Sequence, residues 1–219
     1  MPMKRLLILA AVLHIGGCSS DSVSPADSHD SSLPAVYSGT FPCSNCSGIQ
    51  TTLWLRPDKR FFFRQRYLDD RDREGEISYN LGRWSWDARG NVLELRGAGP
   101  TRSFTHPDRG TLIMRTASDL EHRLSREQTM LNFTPTIRMS GMMKMSGDGA
   151  TFTECLTGFL APVSKGGDFA RFRHQYRSAV GRREPAYVEL EGSFSWTGDG
   201  TLKSLTIERF VTVKDNGAC

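Results

Sequence analysis

Apolar and polar side chains alternate along most of the chain from Tyr37 to about Met130, and turn residues repeatedly interrupt the alternation. In the segment 49–55, odd-numbered residues such as Leu53 would lie on one face of a strand and even-numbered residues such as Trp54 on the other. Short strands with frequent turns predict a meander that closes into a barrel or half-barrel. Further strands are predicted over 60–67, 77–86, 92–95, 103–105 and 111–115, a solvated hairpin tip over 69–76, and either a helix or two short strands over 117–130.

The pattern changes in the second half of the chain, where a helical period stands between strands. The helix is predicted over 168–180, with Asp168 as its N-cap and Gly181 as its C-terminal stop. Three strands, a helix and two more strands are the order of the OB-fold, a five-stranded barrel. The predicted strands are 137–145, 150–155, 159–163, 186–196 and 202–213, and the apolar helix face consists of Phe169, Phe172, Tyr176 and Ala179.

The N-terminus is typical of an export signal. Lys4 and Arg5 precede an apolar run, residues 6–17, that is too short to span a bilayer, which requires about 20 residues. The run ends in Ile15-Gly16-Gly17-Cys18, which resembles a bacterial lipobox, so we predict a leader over 1–17 and acylation of Cys18. The alternative is an ordinary cleaved signal with a stray cysteine. By resemblance to Gram-negative lipoproteins, Ser19 in place of Asp indicates the outer membrane, with the protein facing the periplasm.

Residues 18–35 are predicted to be a flexible tether after the leader. They consist mainly of Ser, Asp and Pro, which cannot bury enough apolar surface to fold. A flexible segment of this length reaches roughly 20–24 Å from the membrane. Two folded domains are expected to follow, over 36–132 and 133–219.

Composition excludes several functional classes. Apolar residues make up 38% and charged residues 24%, which is sufficient for a packed core. The formal net charge of +4 falls by two when Lys4 and Arg5 leave with the leader, so nothing indicates a nucleic-acid partner. The sequence contains no HExxH motif, no GxSxG motif and no phosphate-binding loop, so we expect neither enzyme activity nor a required cofactor.

Four of the five cysteines remain after acylation of Cys18, and an even number in an oxidising compartment predicts disulfides. Three pairings are possible, and proximity favours Cys43 with Cys46 and Cys155 with Cys219, one bond per domain. Loop-closure entropy gives about 4 kcal/mol of stabilisation for the long loop and about 2 kcal/mol for the short one. The second bond would therefore be a structural staple for the chain end.

Three interpretations of Cys43 and Cys46 remain open, in the segment 41–48 (FPCSNCSG). A local disulfide would fix the entry into the strand at Ile49. Two thiolates would bind Cu(I) when reduced. A redox-active pair needs a helix N-terminus to lower the thiol pKa, and a strand follows instead. Four thioethers in the segment 139–145 also suit Cu(I), although adaptable core packing is the plainer interpretation: Met139, Met142, Met143 and Met145.

The segment 37–84 resembles the N-terminal domain of the NlpE family of Gram-negative outer-membrane lipoproteins. A CxxC motif is followed by the pattern GI-x-T-x-L-x-L over 48–55 and by GxW over 82–84. In the second half, TECLTG, YVELEGSF, LTIERF and Cys219 are similar to the second domain of related lipoproteins. The matching residues of the first domain are Tyr37, Gly39, Pro42, Cys43, Cys46, Gly48, Ile49, Thr51, Leu53, Leu55, Asp58, Arg66, Tyr67, Leu68, Gly82 and Trp84.

This resemblance implies a mainly β protein with a lipocalin-like half-barrel followed by an OB-type domain that has its own disulfide. It also implies a lipid anchor on Cys18, a link to copper homeostasis through Cys43 and Cys46, and envelope-stress signalling to an inner-membrane sensor of the Cpx type. Two other hypotheses stand beside signalling. One is a Cu(I)-binding protein using the CxxC motif, and the other is a lipocalin-like binder of a small ligand or a structural envelope lipoprotein.

Overall fold

The computed structural model describes residues 35–68, 74–87, 89, 91–115, 120–128, 135–180, 185–198 and 200–219. The predicted leader, residues 18–34 of the predicted tether and residues 69–73 of the predicted hairpin tip lie outside these ranges. No helix in the described ranges has the length and apolar character needed to cross a membrane.

Eight antiparallel strands form the N-terminal barrel, and each strand pairs with the next in the sequence. The sheet closes completely, because β1 also pairs with β8 through Tyr37 opposite Arg126. Where the sequence allowed a half-barrel, the structure therefore has a full one. The strands are β1 (Ala35–Phe41), β2 (Gly48–Leu55), β3 (Arg60–Leu68), β4 (Glu74–Asp87), β5 (Val92–Gly97), β6 (Arg102–Asp108), β7 (Thr111–Arg115) and β8 (Glu121–Arg126).

The segment 117–130 had two interpretations, and the structure shows a single strand, β8, in its described part. Its alternation is weak, since Leu124 alone is fully buried among six residues. Pairing with both β7 and β1 supplies the hydrogen bonds that local sequence does not specify. Closure of the barrel therefore determines the conformation of this segment.

Alternation along the strands gives the N-terminal barrel two apolar faces. Leu53 and Phe63 belong to the cluster that fills the barrel interior. Trp54 and Phe62, their neighbours in sequence, point outward and belong to a second cluster that extends into the C-terminal domain. The alternation predicted for residues 49–55 is thus confirmed, and its outward apolar side chains are covered by the other domain.

The C-terminal domain is a five-stranded antiparallel sheet in the order β11-β10-β9-β12-β13, with one helix. A parallel bridge between Val163 and Leu205 brings its two ends together, so the OB-type expectation is confirmed. Its elements are β9 (Thr136–Ser146), β10 (Gly149–Glu154), β11 (Leu160–Pro162), α1 (Phe169–Val180), β12 (Ala186–Trp196) and β13 (Leu202–Lys214).

One detail of the predicted helix is wrong. Val180, not Ala179, completes its buried face, because the fourth apolar position falls at i+11 from Phe169. Asp168 stands at the predicted N-cap position, where its carbonyl accepts the first helical hydrogen bond, from the N–H of Phe172 at 3.0 Å, and its carboxylate accepts a hydrogen bond from the main-chain N–H of Phe210 at 2.8 Å. The side chain therefore attaches the helix start to β13.

Candidate functional site

The first candidate site is the loop between β1 and β2, where Cys43 and Cys46 form a disulfide with their Cα atoms 5.4 Å apart. Both residues are half-buried. The main-chain N–H of Ser47 donates to the carbonyl of Leu68 at 3.0 Å and ties the loop to the end of β3. The structure thus contains the local disulfide that would fix the entry into the strand.

Glycine is needed where this loop joins β2. Gly48 has a φ of 149°, and a Cβ atom there would lie 2.5 Å from Cγ2 of Thr40. A side chain at position 48 would therefore push the loop away from β1.

The ring of His122 stacks on Phe41, the last residue of β1 before the loop, with centroids 4.4 Å apart. Burial lowers the pKa of His122 and so favours the neutral ring. Within the described ranges, no group of three or more His, Cys, Asp or Glu side chains is arranged to hold a metal ion. Two thiolates freed by reduction would still be a donor set that suits Cu(I).

The methionines of the segment 139–145 do not join this loop. Met139 and Met143 are buried in the C-terminal core, and Met145 packs against the same cluster. The core-packing interpretation therefore describes these side chains, and the structure does not place them beside Cys43 and Cys46.

The second candidate site is the loop 154–158, which we call the disulfide loop. Cys155 bonds to Cys219 with Cα atoms 5.2 Å apart, across 64 positions of sequence. The main-chain N–H of Cys155 donates to the carbonyl of Ser140 at 3.0 Å. The chain end is thereby attached to β9 through Cys155.

A buried carboxylate organises the disulfide loop from inside. Glu154 is 1% exposed and accepts hydrogen bonds from the main-chain N–H groups of Leu156 at 3.0 Å and Thr157 at 2.7 Å. The hydroxyl of Thr157 donates to the same carboxylate. Gly158 has a φ of 67° and closes the turn by donating to the carbonyl of Glu154. The loop is therefore fixed by hydrogen bonds as well as by the disulfide.

The disulfide loop contacts the N-terminal barrel. Two guanidinium groups of that barrel, Arg60 at 3.1 Å and Arg83, donate to the carbonyl oxygen of Thr157. Arg60 also lies over the ring of Phe159, 4.2 Å from its centroid. The loop that carries Cys155 is thus also a contact point between the two domains.

Beside this contact lies an aromatic cluster that we call the aromatic seam. Phe62 is in contact range of three rings of the C-terminal domain, with centroid distances of 5.7–6.2 Å. Trp54 meets Trp196 edge to face at 5.4 Å. Ring pairs at these separations are attractive in addition to the area that they bury. The members of the seam are Trp54, Phe62, Phe159, Phe194 and Trp196.

Arg56 closes one side of the aromatic seam although it is only 6% exposed. Its guanidinium lies 4.0 Å from the ring centroid of Trp196 and donates to the carbonyl of Gly200 at 3.0 Å. Burial lowers the pKa of Arg56, while the adjacent carboxylate of Asp58 acts in the opposite direction. The pairing with Asp58 and the ring faces compensate for the loss of water around the charge.

The aromatic seam is not among the features predicted from the sequence. The signal was present in the consecutive phenylalanines Phe61, Phe62 and Phe63, since alternation directs the middle ring out of the barrel. An outward ring of this size on a closed barrel indicates a covering partner, here the C-terminal domain. Cys18, the remaining predicted site residue, lies outside the described residues.

Comparison with known proteins gives two family matches in sequence order. Residues 37–121 match the NlpE N-terminal domain, and residues 133–219 match the NlpE C-terminal OB domain. Lipoprotein NlpE of Escherichia coli (strain K12) is 27% identical over 216 residues, which cover 91% of this chain and 88% of that protein.

Two solved structures are also similar. The crystal structure of the Cpx pathway activator NlpE from Escherichia coli has 26% sequence identity and a TM-score of 0.34, and the match covers 85% of this chain and 97% of that one. A putative lipoprotein from Shewanella oneidensis has 26% identity and a TM-score of 0.37, covering 47% of this chain and 96% of that one. With both of its domain models matched in order, the chain belongs to the NlpE family.

Proposed function

We propose that this protein is an outer-membrane lipoprotein that reports envelope stress to an inner-membrane sensor of the Cpx type. The observation that carries the proposal is the match to both NlpE domains, in order, behind a leader that ends in a lipobox-like cysteine. The similar Escherichia coli protein is described as a Cpx pathway activator. Cys18 would carry the anchor, and Ser19 would direct the protein to the outer membrane.

The predicted tether fits such a role. The predicted reach of about 20–24 Å would hold the folded domains near the outer membrane as long as transport succeeds. A protein that fails in transport stays beside the inner membrane, where the sensor is. Mistargeting is then converted directly into contact with the sensor.

Expression of this chain in a Gram-negative strain with a Cpx-responsive reporter is expected to raise the reporter signal several-fold. The variant Ser19→Asp should raise it further, because retention in the inner membrane places the protein beside the sensor. Reporter output is the measurement, with acylation of Cys18 verified by intact mass.

The matched control is Ser19→Ala, which changes the same position without the retention signal and should behave like the wild-type chain. An unchanged reporter for the wild-type chain and for Ser19→Asp, at verified expression, would contradict the signalling proposal.

A second function, Cu(I) binding, is supported by the donor chemistry of the loop between β1 and β2. Cys43 and Cys46 are already within bonding distance of each other, so reduction would leave two soft sulfur ligands side by side. We propose that the reduced form of this loop binds Cu(I) and that the oxidised form does not.

Titration of the reduced chain with Cu(I) against a competing chelator is expected to show tight binding. The variant Cys43→Ser/Cys46→Ser should bind at least ~100-fold more weakly, since it lacks both thiolates. The control Met142→Leu removes a partly exposed thioether of the C-terminal domain and should leave the affinity unchanged. Equal affinity of the cysteine variant and the wild-type chain would eliminate the loop as the copper site.

The interior of the N-terminal barrel does not favour a small-ligand site. It is occupied by buried side chains, including Phe61, Phe63, Trp84 and Phe104. Two clefts of about 310 and 510 Å³ lie between the domains.

A further inference from the structure

Helix α1 is strongly basic and contains no acidic residue. Its apolar face is buried in the C-terminal domain, where the hydroxyl of Tyr176 donates to the carbonyl of Met143 at 2.8 Å. The remaining surface is exposed or half-buried, and it carries three arginines and a histidine. We call this surface the basic helix face: Arg171, Arg173, His174 and Arg177.

The charge on this face is only weakly neutralised by the rest of the described structure. Arg171 lies 3.7 Å from the carboxylate of Asp168, which also accepts the hydrogen bond from β13. The nearby Asp148 forms an ion pair with Lys165 and also interacts electrostatically with Arg173. Arg177 makes no hydrogen bond or ion pair with the residues that the structure describes. The face therefore presents an excess of positive charge to solvent.

This arrangement is unfavourable for the helix by itself. Arg173 and Arg177 stand at i and i+4, where like charges destabilise a helix. The helix does not need these charges for packing, because the buried residues Phe172 and Tyr176 attach it to the domain. The excess charge thus favours an anionic partner outside the chain.

Two observations favour a phospholipid surface over an acidic protein. Protein partners usually bind around a large apolar or aromatic anchor, and the exposed apolar residues of α1 are limited to Ala170 and Ala179. Guanidinium groups bind phosphate oxygens in pairs, which suits a dense layer of phosphate headgroups. Acylation of Cys18 would also keep such a layer within reach of the two folded domains.

We propose that the basic helix face of α1 binds the phosphate headgroups of anionic phospholipids. The biological setting rests on the proposed function, since the lipid anchor supplies the neighbouring membrane. The face would then hold the C-terminal domain against the membrane surface, and binding would weaken with rising salt because the contact is exposed and electrostatic.

The test uses the mature chain with Cys18→Ser, which carries no acyl group, and measures its partition onto vesicles by co-sedimentation. Vesicles of phosphatidylglycerol and phosphatidylcholine in equal parts are compared with phosphatidylcholine alone. At low salt the chain is expected to bind the anionic vesicles only. The variant Arg171→Gln/Arg173→Gln/Arg177→Gln should lose on the order of 100-fold in partition, at roughly fivefold per arginine.

The matched control, Arg138→Gln/Arg209→Gln/Lys214→Gln, removes three exposed positive charges, each paired with Glu189 or Glu191, from the strands of the same domain. It should stay within a few-fold of the wild-type chain. Equal loss in both variants, wild-type partition of the helix variant, or no binding to anionic vesicles would overturn the proposal. None of these results depends on acylation or on the Cpx reporter, so failure here is distinguishable from failure of the proposed function.

Discussion

Removal of the bond between Cys155 and Cys219, by Cys155→Ser together with Cys219→Ser, is expected to lower the free energy of unfolding of the C-terminal domain by about 4 kcal/mol. The bond spans 64 positions of sequence, so the reduced unfolded chain gains a large amount of conformational freedom. The loss is a large fraction of the stability of an ordinary domain. Urea unfolding followed by hydrogen exchange in peptides from residues 133–219 measures it.

The matched control is Cys43→Ser with Cys46→Ser, which opens a loop of only three positions in the other domain. Loop-closure entropy predicts a cost of about 2 kcal/mol there, confined to the N-terminal barrel. A C-terminal domain equally stable with and without its own disulfide would contradict the account of that bond as the staple of the chain end.

The order of strands and the helix could be predicted because local patterns and tertiary packing agree. In β12 buried and half-buried residues alternate along nearly the whole strand, and in β2 the alternation separates interior side chains from outward ones, although both kinds are buried. Helix α1 has a clear apolar period and extends over Phe169–Val180, while its predicted stop, Gly181, lies outside the described residues. The two disulfides are those that proximity in sequence favoured.

The remaining features depend on contacts between distant parts of the chain. Closure of the barrel at β8, the use of Asp168 to hold β13 and the position of the disulfide loop against Arg60 and Arg83 join residues far apart in sequence. None of them leaves a periodic signal. The aromatic seam could be predicted only in part. The sequence indicates that the ring of Phe62 points outward, but it does not indicate which residues cover that ring.

Phe62→Ala is expected to lower the free energy of unfolding by about 3–5 kcal/mol. It should also uncouple the unfolding of the two domains. Phe62 is fully buried, and its ring touches three rings of the C-terminal domain across the aromatic seam. Truncation leaves a cavity at the centre of the contact and removes attractive ring pairs. This apolar cluster joins the two domains. Because the variant disrupts it, the two domains should unfold in two separate transitions.

The adjacent residue provides a matched control for Phe62→Ala, since Phe63 lies on the same strand and is equally buried but faces the barrel interior. Phe63→Ala should cost a similar amount while destabilising the N-terminal barrel alone. Hydrogen exchange followed by mass spectrometry distinguishes the two variants. Phe62→Ala should speed exchange in the disulfide loop, because separation of the seam also loosens the arginine contacts to Thr157. Unchanged exchange there would show that the loop is held by its own carboxylate and disulfide, and that the aromatic seam does not couple the two domains.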